Sequence, residues 1–168
     1  MWDCLIVIDR DGTLIENYNY LGKEDDWHQK IQIKEKTINK IKNLEAKYTH
    51  ALKIVFTNQT GVALGFFSEK RVQDINMYVS NLLKEKNLYI DYWIYSPEAD
   101  LDYAKMKGIT PNIYVKKNST RKPNPKLLIS LLQSIGLTLQ SFKSIYVIGD
   151  SEDDRQLANR LNADFIIV

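Results

Sequence analysis

Apolar residues along this chain fall either in short continuous runs or at helical spacing, and the two patterns alternate. Cys4 to Ile8 is an unbroken apolar run that stops at a polar loop, as expected of a strand covered on both sides. Lys34 to Lys47 sets Ile38, Ile41 and Leu44 at helical spacing, and Leu52 to Phe56 is a second apolar run. Ser68 has the chemistry of an N-cap for a helix reaching about Glu85, with Val72, Ile75, Val79 and Leu82 on one face. Tyr89 to Tyr95 reads as a third strand, and Ser96 to Arg121 as a loop-rich stretch. Asn124 and Pro125 suit the N-cap and first position of a helix ending near Ser134. Ile145 to Ile148 reads as a strand, Asp153 to Leu161 as a helix, and Phe165 to Val168 as a closing strand. This order predicts an α/β fold: a central parallel sheet with helices on both faces. Neither a repeat nor a linker interrupts it, so residues 1–168 are expected to form one domain.

Composition narrows the partners. The chain is 44% hydrophobic and 26% charged, well outside the range of disordered proteins. A formal net charge of +2 argues against a dedicated nucleic-acid binder. Lysines gather between Lys30 and Lys53, but Glu35 and Glu45 lie among them, which reads as a solvated helix face. Cys4 is the single cysteine, which rules out an intramolecular disulfide or a thiolate cluster. No apolar stretch approaches the roughly 20 residues that cross a bilayer. Nothing resembles a signal peptide, so a cytoplasmic protein without membrane partners is expected.

Chemistry collects where the strands end. Asp9 follows the first run, Thr57 and Asn58 close the second, and Asp150 follows the run at Ile145 to Ile148. Ligands of open α/β sheets bind beyond the carboxyl ends of the strands, so these residues should meet at one edge. Asp9 and Asp11 stand two residues apart beside Gly12, whose freedom allows a sharp turn. One such carboxylate can attack phosphorus while the other manages the leaving-group proton. Thr57, Asn58 and the glycines Gly61 and Gly65 suit a phosphate cradle. Lys122, between Arg121 and Pro123, precedes a helix N-terminus, where an anion is also favoured. Asp150, Asp153 and Asp154 form an acidic group, of which Asp150 is the best placed to hold a hard cation such as magnesium. Glu152 and Asp153 read as ordinary helix-capping acids.

These segments, in this order, resemble the haloacid-dehalogenase-like (HAD) superfamily of phosphatases along the whole chain. They run from Ile8-Asp9-Arg10-Asp11-Gly12-Thr13-Leu14 to Ile148-Gly149-Asp150-Ser151-Glu152-Asp153-Asp154. Thr57-Asn58-Gln59-Thr60-Gly61 and Arg121-Lys122-Pro123-Asn124-Pro125 are similar to subfamily IIIA, the branch of heptose bisphosphate and histidinol phosphatases. The resemblance implies a HAD-like Rossmannoid three-layer sandwich and a Mg2+-dependent phosphomonoester hydrolase working through an aspartyl-phosphate. It implies Asp9 as nucleophile and Asp11 as general acid/base, with Thr57 and Lys122 on the phosphoryl group; the residues themselves add Asn58 as a candidate for phosphate binding. Magnesium would be held by Asp9, the Asp11 carbonyl and Asp150, with support from Asp154. Arg121 is the candidate for substrate recognition beside the phosphate.

The substrate implied is a small sugar phosphate, heptose (bis)phosphate-like, of carbohydrate or polysaccharide precursor metabolism, taken by a monomer. Histidinol phosphate and a nucleic-acid 3′-phosphate are the alternatives. The chain departs from its branch at several places. Many relatives carry zinc-binding cysteines where Ser96, Asn118 and Thr120 stand, so zinc is not expected. Leu64 and Ser151 replace an arginine and a lysine frequent in heptose bisphosphate phosphatases. A receiver domain also uses strand-end acids, a threonine and a lysine, but in it the lysine comes near the end, after the acids; here Lys122 precedes Asp150. The spans from Asp11 to Thr57 and from Gly61 to Lys122 leave no room for a folded cap, so a capless core is expected. Its rim would be the flap from Ile15 to Lys30, with Tyr18, Tyr20 and Trp27, and the loop from Ser96 to Arg121. Flap packing and substrate contact are both open to these aromatics.

Overall fold

The computed structural model describes residues 2–168. In chain order the elements are β1 (Cys4–Ile8), α1 (Trp27–Lys30), α2 (Glu35–Glu45), β2 (Ala51–Asn58), α3 (Glu69–Glu85), β3 (Tyr92–Ser96) and β4 (Ala99–Asp100). They continue with α4 (Leu101–Met106), β5 (Val115–Lys116), α5 (Lys126–Ser134), β6 (Ser144–Gly149), α6 (Glu152–Leu161) and β7 (Asp164–Ile167). Five strands form one parallel sheet in the order β3-β2-β1-β6-β7. The order reverses beside β1: the chain moves outward to β2 and β3, then returns to β6 on the other side. That switch opens a crevice at the carboxyl ends of β1, β2 and β6.

The alternation of side chains along β1 separates two cores. Cys4, Ile6 and Ile8 pack with Ile38, Ile41 and Leu44 of α2 and with Ile75, Val79 and Leu83 of α3. Leu5 and Val7 pack on the other face with Leu128 and Leu132 of α5 and Leu157, Ala158 and Leu161 of α6. A strand buried on both faces must be apolar at every position, which is why β1 reads as a continuous run. The result is the expected three-layer α/β sandwich.

Four expectations need adjustment. The buried face of α3 ends on Leu83, not Leu82, and includes Asn76. From Val79 a helical stripe can continue three or four residues on, and the drift of the 3.6-residue period selects the latter. β3 starts at Tyr92, later than the apolar run, because Asp91 ties off the edge: its amide donates to the Lys53 carbonyl, and its carboxylate accepts the Lys53 amide at 2.8 Å. The stretch from Ser96 to Arg121 is not all loop. It holds α4 and the parallel pair β4-β5, in which Ala99 pairs with Val115. At α5, Pro125 occupies the N-cap, and Asn124 Oδ1 accepts the Lys126 amide at 3.0 Å from one residue further out. Ser68 caps α3 as expected, accepting the Arg71 amide. No helix of the described residues is long and apolar enough to cross a membrane.

Candidate active site

Asp9 leaves β1 at the switch point, its amide still bonded to the Ile148 carbonyl at 2.9 Å. The chain then turns tightly, with the Arg10 carbonyl accepting the amides of Thr13, Leu14 and Ile15. Gly12 makes this turn possible in two ways. Its φ is +87°, and a Cβ there would run into the Asp150 carboxylate. Among the described residues, no hydrogen bond ends on the Asp11 carbonyl, which leaves that oxygen free for a cation.

Three carboxylates converge here. Asp9, Asp150 and Asp154 each offer an oxygen within 4.8 Å of the others, the first and last buried and Asp150 exposed. Lys122 is buried, and its Nζ donates to Asp9 Oδ1 and Asp154 Oδ1, both at 2.6 Å. Asp154 is placed by the start of α6. Its other oxygen accepts from Ser151 Oγ at 2.6 Å and from the Ser151 amide at 3.2 Å, closing a capping box. Gly149 is required beneath it, because a Cβ there would meet the Asp154 side chain.

The electrostatics follow from sharing one cation among several anions. Burial pushes the Asp9 carboxyl up from 3.8 to about 7. Lys122 opposes that shift, while the Asp154 and Asp11 charges add to it. Lys122 itself is raised: desolvation works against its charge, but the two carboxylates on it prevail. Asp150 is raised by partial burial and by Asp154. Lys122, with Lys34 also acting on Asp150, leaves part of this negative charge uncompensated, and the donors are hard carboxylate oxygens. Such a set fits magnesium and offers no soft ligand.

Asp11 faces the neighbouring cleft. Its carboxylate receives a two-pronged contact from Arg10 (Nε to Oδ1, 3.0 Å; Nη2 to Oδ2, 2.8 Å) and a third bond from Gln59 Nε2 at 2.8 Å. Gln59 also donates to Thr57 Oγ1 at 2.8 Å, so the buried Thr57 hydroxyl keeps its proton for another acceptor. Asn58, expected in a phosphate cradle, turns its side chain to the Lys122 peptide. Its Oδ1 accepts the Lys122 amide at 2.7 Å, and its Nδ2 donates to the Lys122 carbonyl at 3.2 Å. Arg121 reaches Asp153 Oδ2 at 3.2 Å and lies 5.2 Å from the centre of the Tyr103 ring. Asp153 is thus more than a helix-capping acid.

A cleft of about 200 Å3 opens beside these groups, lined among others by Asp11, Tyr18, Tyr20, Gln59, Tyr103 and Arg121. The flap aromatics divide. Trp27 packs edge-on against Tyr78 of α3, whereas Tyr20 meets Tyr103 hydroxyl to hydroxyl at 3.1 Å across the mouth. Where relatives of this branch were expected to bind zinc, Ser96 Oγ and Thr120 Oγ1 are 2.9 Å apart, and Glu98 accepts from the Thr120 amide and hydroxyl. Asn118 is exposed. Sequence reasoning gave no role to Lys34, whose Nζ donates to the Gly12 carbonyl at 2.6 Å. Nor did it give one to Gln59, Tyr103, or the pair Arg10 and Asn76. Gln59 and Arg10 carried a local signal, Gln59 lying two positions beyond Thr57 and Arg10 between Asp9 and Asp11.

A parallel sheet carrying this acid set at its switch point is the arrangement of a HAD-like phosphatase. The chain belongs to the polynucleotide kinase 3 phosphatase family, whose model matches residues 4–167. It is 30% identical over 153 residues to the D-glycero-alpha-D-manno-heptose-1,7-bisphosphate 7-phosphatase of Photorhabdus laumondii subsp. laumondii, covering 91% of this chain and 75% of that one. Among solved structures, a HAD-like protein of Mesorhizobium loti superposes with a TM-score of 0.77 at 22% identity, over 96% of this chain and 70% of that one. The D,D-heptose 1.7-bisphosphate phosphatase of B. bronchiseptica, solved with magnesium and phosphate, gives 0.68 at 20% identity, over 96% and 78%. These two share the fold with this chain, which is a phosphatase of the subfamily IIIA type.

Proposed function

We propose that this phosphatase is a magnesium-dependent phosphomonoester hydrolase that forms an aspartyl-phosphate on Asp9. The observation that carries the reading is the placement of Asp9: buried, bonded to Lys122, and grouped with Asp150 and Asp154 at the sheet's switch point. Asp9 attacks phosphorus in line. Lys122 and the Thr57 hydroxyl hold the phosphoryl oxygens, and Asn58 fixes the Lys122 peptide from behind. Asp11 gives a proton to the leaving oxygen, then takes one from the water that cleaves the acyl phosphate. Asp9, Asp150 and the Asp11 carbonyl would hold magnesium, supported by Asp154; when bound it supplies positive charge against the spread charge of the transferring phosphoryl group. EDTA should remove activity and magnesium restore it, and metal analysis of the purified protein should show no stoichiometric zinc. Zinc bound near Ser96 to Thr120 would contradict this assignment.

The relative named as a heptose bisphosphate phosphatase supports a small sugar phosphate of carbohydrate precursor metabolism as substrate. The cleft supports the same class, because its tyrosines and Arg121 offer stacking and a planar donor fork to a polyol. Arg121→Ala should raise KM for the sugar phosphate about tenfold more than for a small aryl phosphate. Equal effects would assign Arg121 to structure or to the common phosphate site. The family match favours a second reading, a nucleic-acid 3′-phosphatase. Salt-sensitive binding of a single-stranded oligonucleotide would support it. Against it, the formal net charge is only +2. The spans from Asp11 to Thr57 and from Gly61 to Lys122 hold core elements and the small β4-α4-β5 excursion, which supports one capless domain over residues 1–168. Its single cysteine is free and buried, which agrees with work in the cytoplasm.

A further inference from the structure

Arg10 sits between two carboxylates assigned to chemistry, yet its own side chain has no part in the reaction described so far. It is among the largest fully buried side chains of the molecule. A buried guanidinium is costly unless every donor is matched. Here Nε and Nη2 fork onto the two oxygens of Asp11, and Nη1 donates to Asn76 Oδ1 at 2.7 Å. Asn76 is a polar residue on the buried face of α3, where Val72, Ile75, Val79 and Leu83 are apolar. An amide carbonyl at that place has one evident partner, the Arg10 guanidinium. The chain from Asn76 through Arg10 to Asp11 therefore links a core helix to the carboxylate at the cleft. A fork of two parallel bonds fixes both the position and the plane of that carboxylate.

We propose that Arg10, anchored by Asn76, is a positioning residue that sets the orientation of Asp11 for proton transfer. The proposal rests on Asp11 being the general acid/base. In the first step the Asp9 oxygen bonds to phosphorus, the bond to the leaving oxygen breaks, and the Asp11 proton goes to that oxygen. In the second, water attacks phosphorus, its proton goes to Asp11, and the bond to the Asp9 oxygen breaks. Both transfers need the Asp11 oxygen at hydrogen-bond distance and in line with its partner, and small misplacement is expensive in rate. Gln59 holds one oxygen from the Thr57 side, but a single contact leaves the carboxylate free to rotate; the Arg10 fork removes that freedom.

Leaving-group chemistry tests this. An alkyl phosphate needs a proton on its departing oxygen, whereas a nitrophenolate departs without one. Arg10→Met should lower kcat/KM for an alkyl sugar phosphate by roughly 100-fold. For p-nitrophenyl phosphate it should change kcat/KM by less than about threefold, while kcat falls and a burst of nitrophenol appears, because the second step still needs Asp11. Asn76→Leu, which removes only the anchor, should give the same skew at about tenfold, and it keeps the test available if Arg10→Met does not fold. Asp11→Asn is the reference. If it shows no skew, the assignment of Asp11 fails. If it shows the skew while the folded Arg10 or Asn76 variant loses kcat/KM equally on both substrates, or loses none, the positioning role of Arg10 is overturned and Asp11 keeps its assignment.

Discussion

Asp9→Asn is expected to lower turnover by on the order of 10⁴-fold or more, because it removes the attacking oxygen and almost no volume. The fold should survive, and the metal-free protein should become more stable at neutral and higher pH. The sign follows from the raised carboxyl. Between its ordinary value of 3.8 and about 7, the folded protein holds a proton on Asp9 that the unfolded chain has released. Stability without metal should therefore fall as pH rises through that window. An amide cannot ionise, so the variant should show a flatter profile of melting temperature against pH in EDTA. Substantial residual turnover would end the nucleophile assignment. An unchanged profile would show that the Asp9 carboxyl is not strained by burial.

Lys122→Met should be the most damaging single change to fold and chemistry together. It leaves two buried carboxylates, Asp9 and Asp154, without the ammonium that both contact at 2.6 Å. Breaking a buried ion network by removing one partner costs about 3–5 kcal/mol. In a domain of this size that is about 10 °C or more in melting temperature. Phosphatase activity should disappear, since in the proposed mechanism the phosphoryl group loses the Lys122 ammonium that lies beside Asp9. Added magnesium should recover part of the stability and none of the activity. A melting temperature unchanged in EDTA would mean that the two carboxylates find protons or other partners without cost.

The parts of this molecule that are written locally could be read from the chain. Cys4 to Ile8 is apolar at every position because helices cover both faces of β1, and Ser68 announces α3 by its capping chemistry. Strand-end acids announced the site, because the sheet gathers strand ends whatever lies between them. What stayed hidden depends on contacts between distant residues. Asn76 and Arg10 are 66 positions apart, and nothing near either signals the bond between them. Lys34 looked like one of many solvated lysines, but the start of α2 sets its ammonium on the Gly12 carbonyl. Asp153 looked like a capping acid because helix starts are rich in acids. Its pairing with Arg121 joins the loop before α5 to the first turn of α6, a contact between distant residues. The two-residue strands β4 and β5 are too short to carry any periodicity. Asn58 lies at the expected strand end, but the direction of its side chain is set by the Lys122 peptide that it clamps.

The aspartyl-phosphate itself can be sought directly. Asp11→Asn, mixed with magnesium and p-nitrophenyl phosphate and quenched in acid within a turnover, should carry one phosphoryl group labile to hydroxylamine. Mass spectrometry of the digest should place it on the peptide containing Asp9, and Asp9→Asn should carry none. A phosphoryl group on another residue, or rapid turnover in which no phosphoprotein forms at any quench time, would contradict catalysis through Asp9.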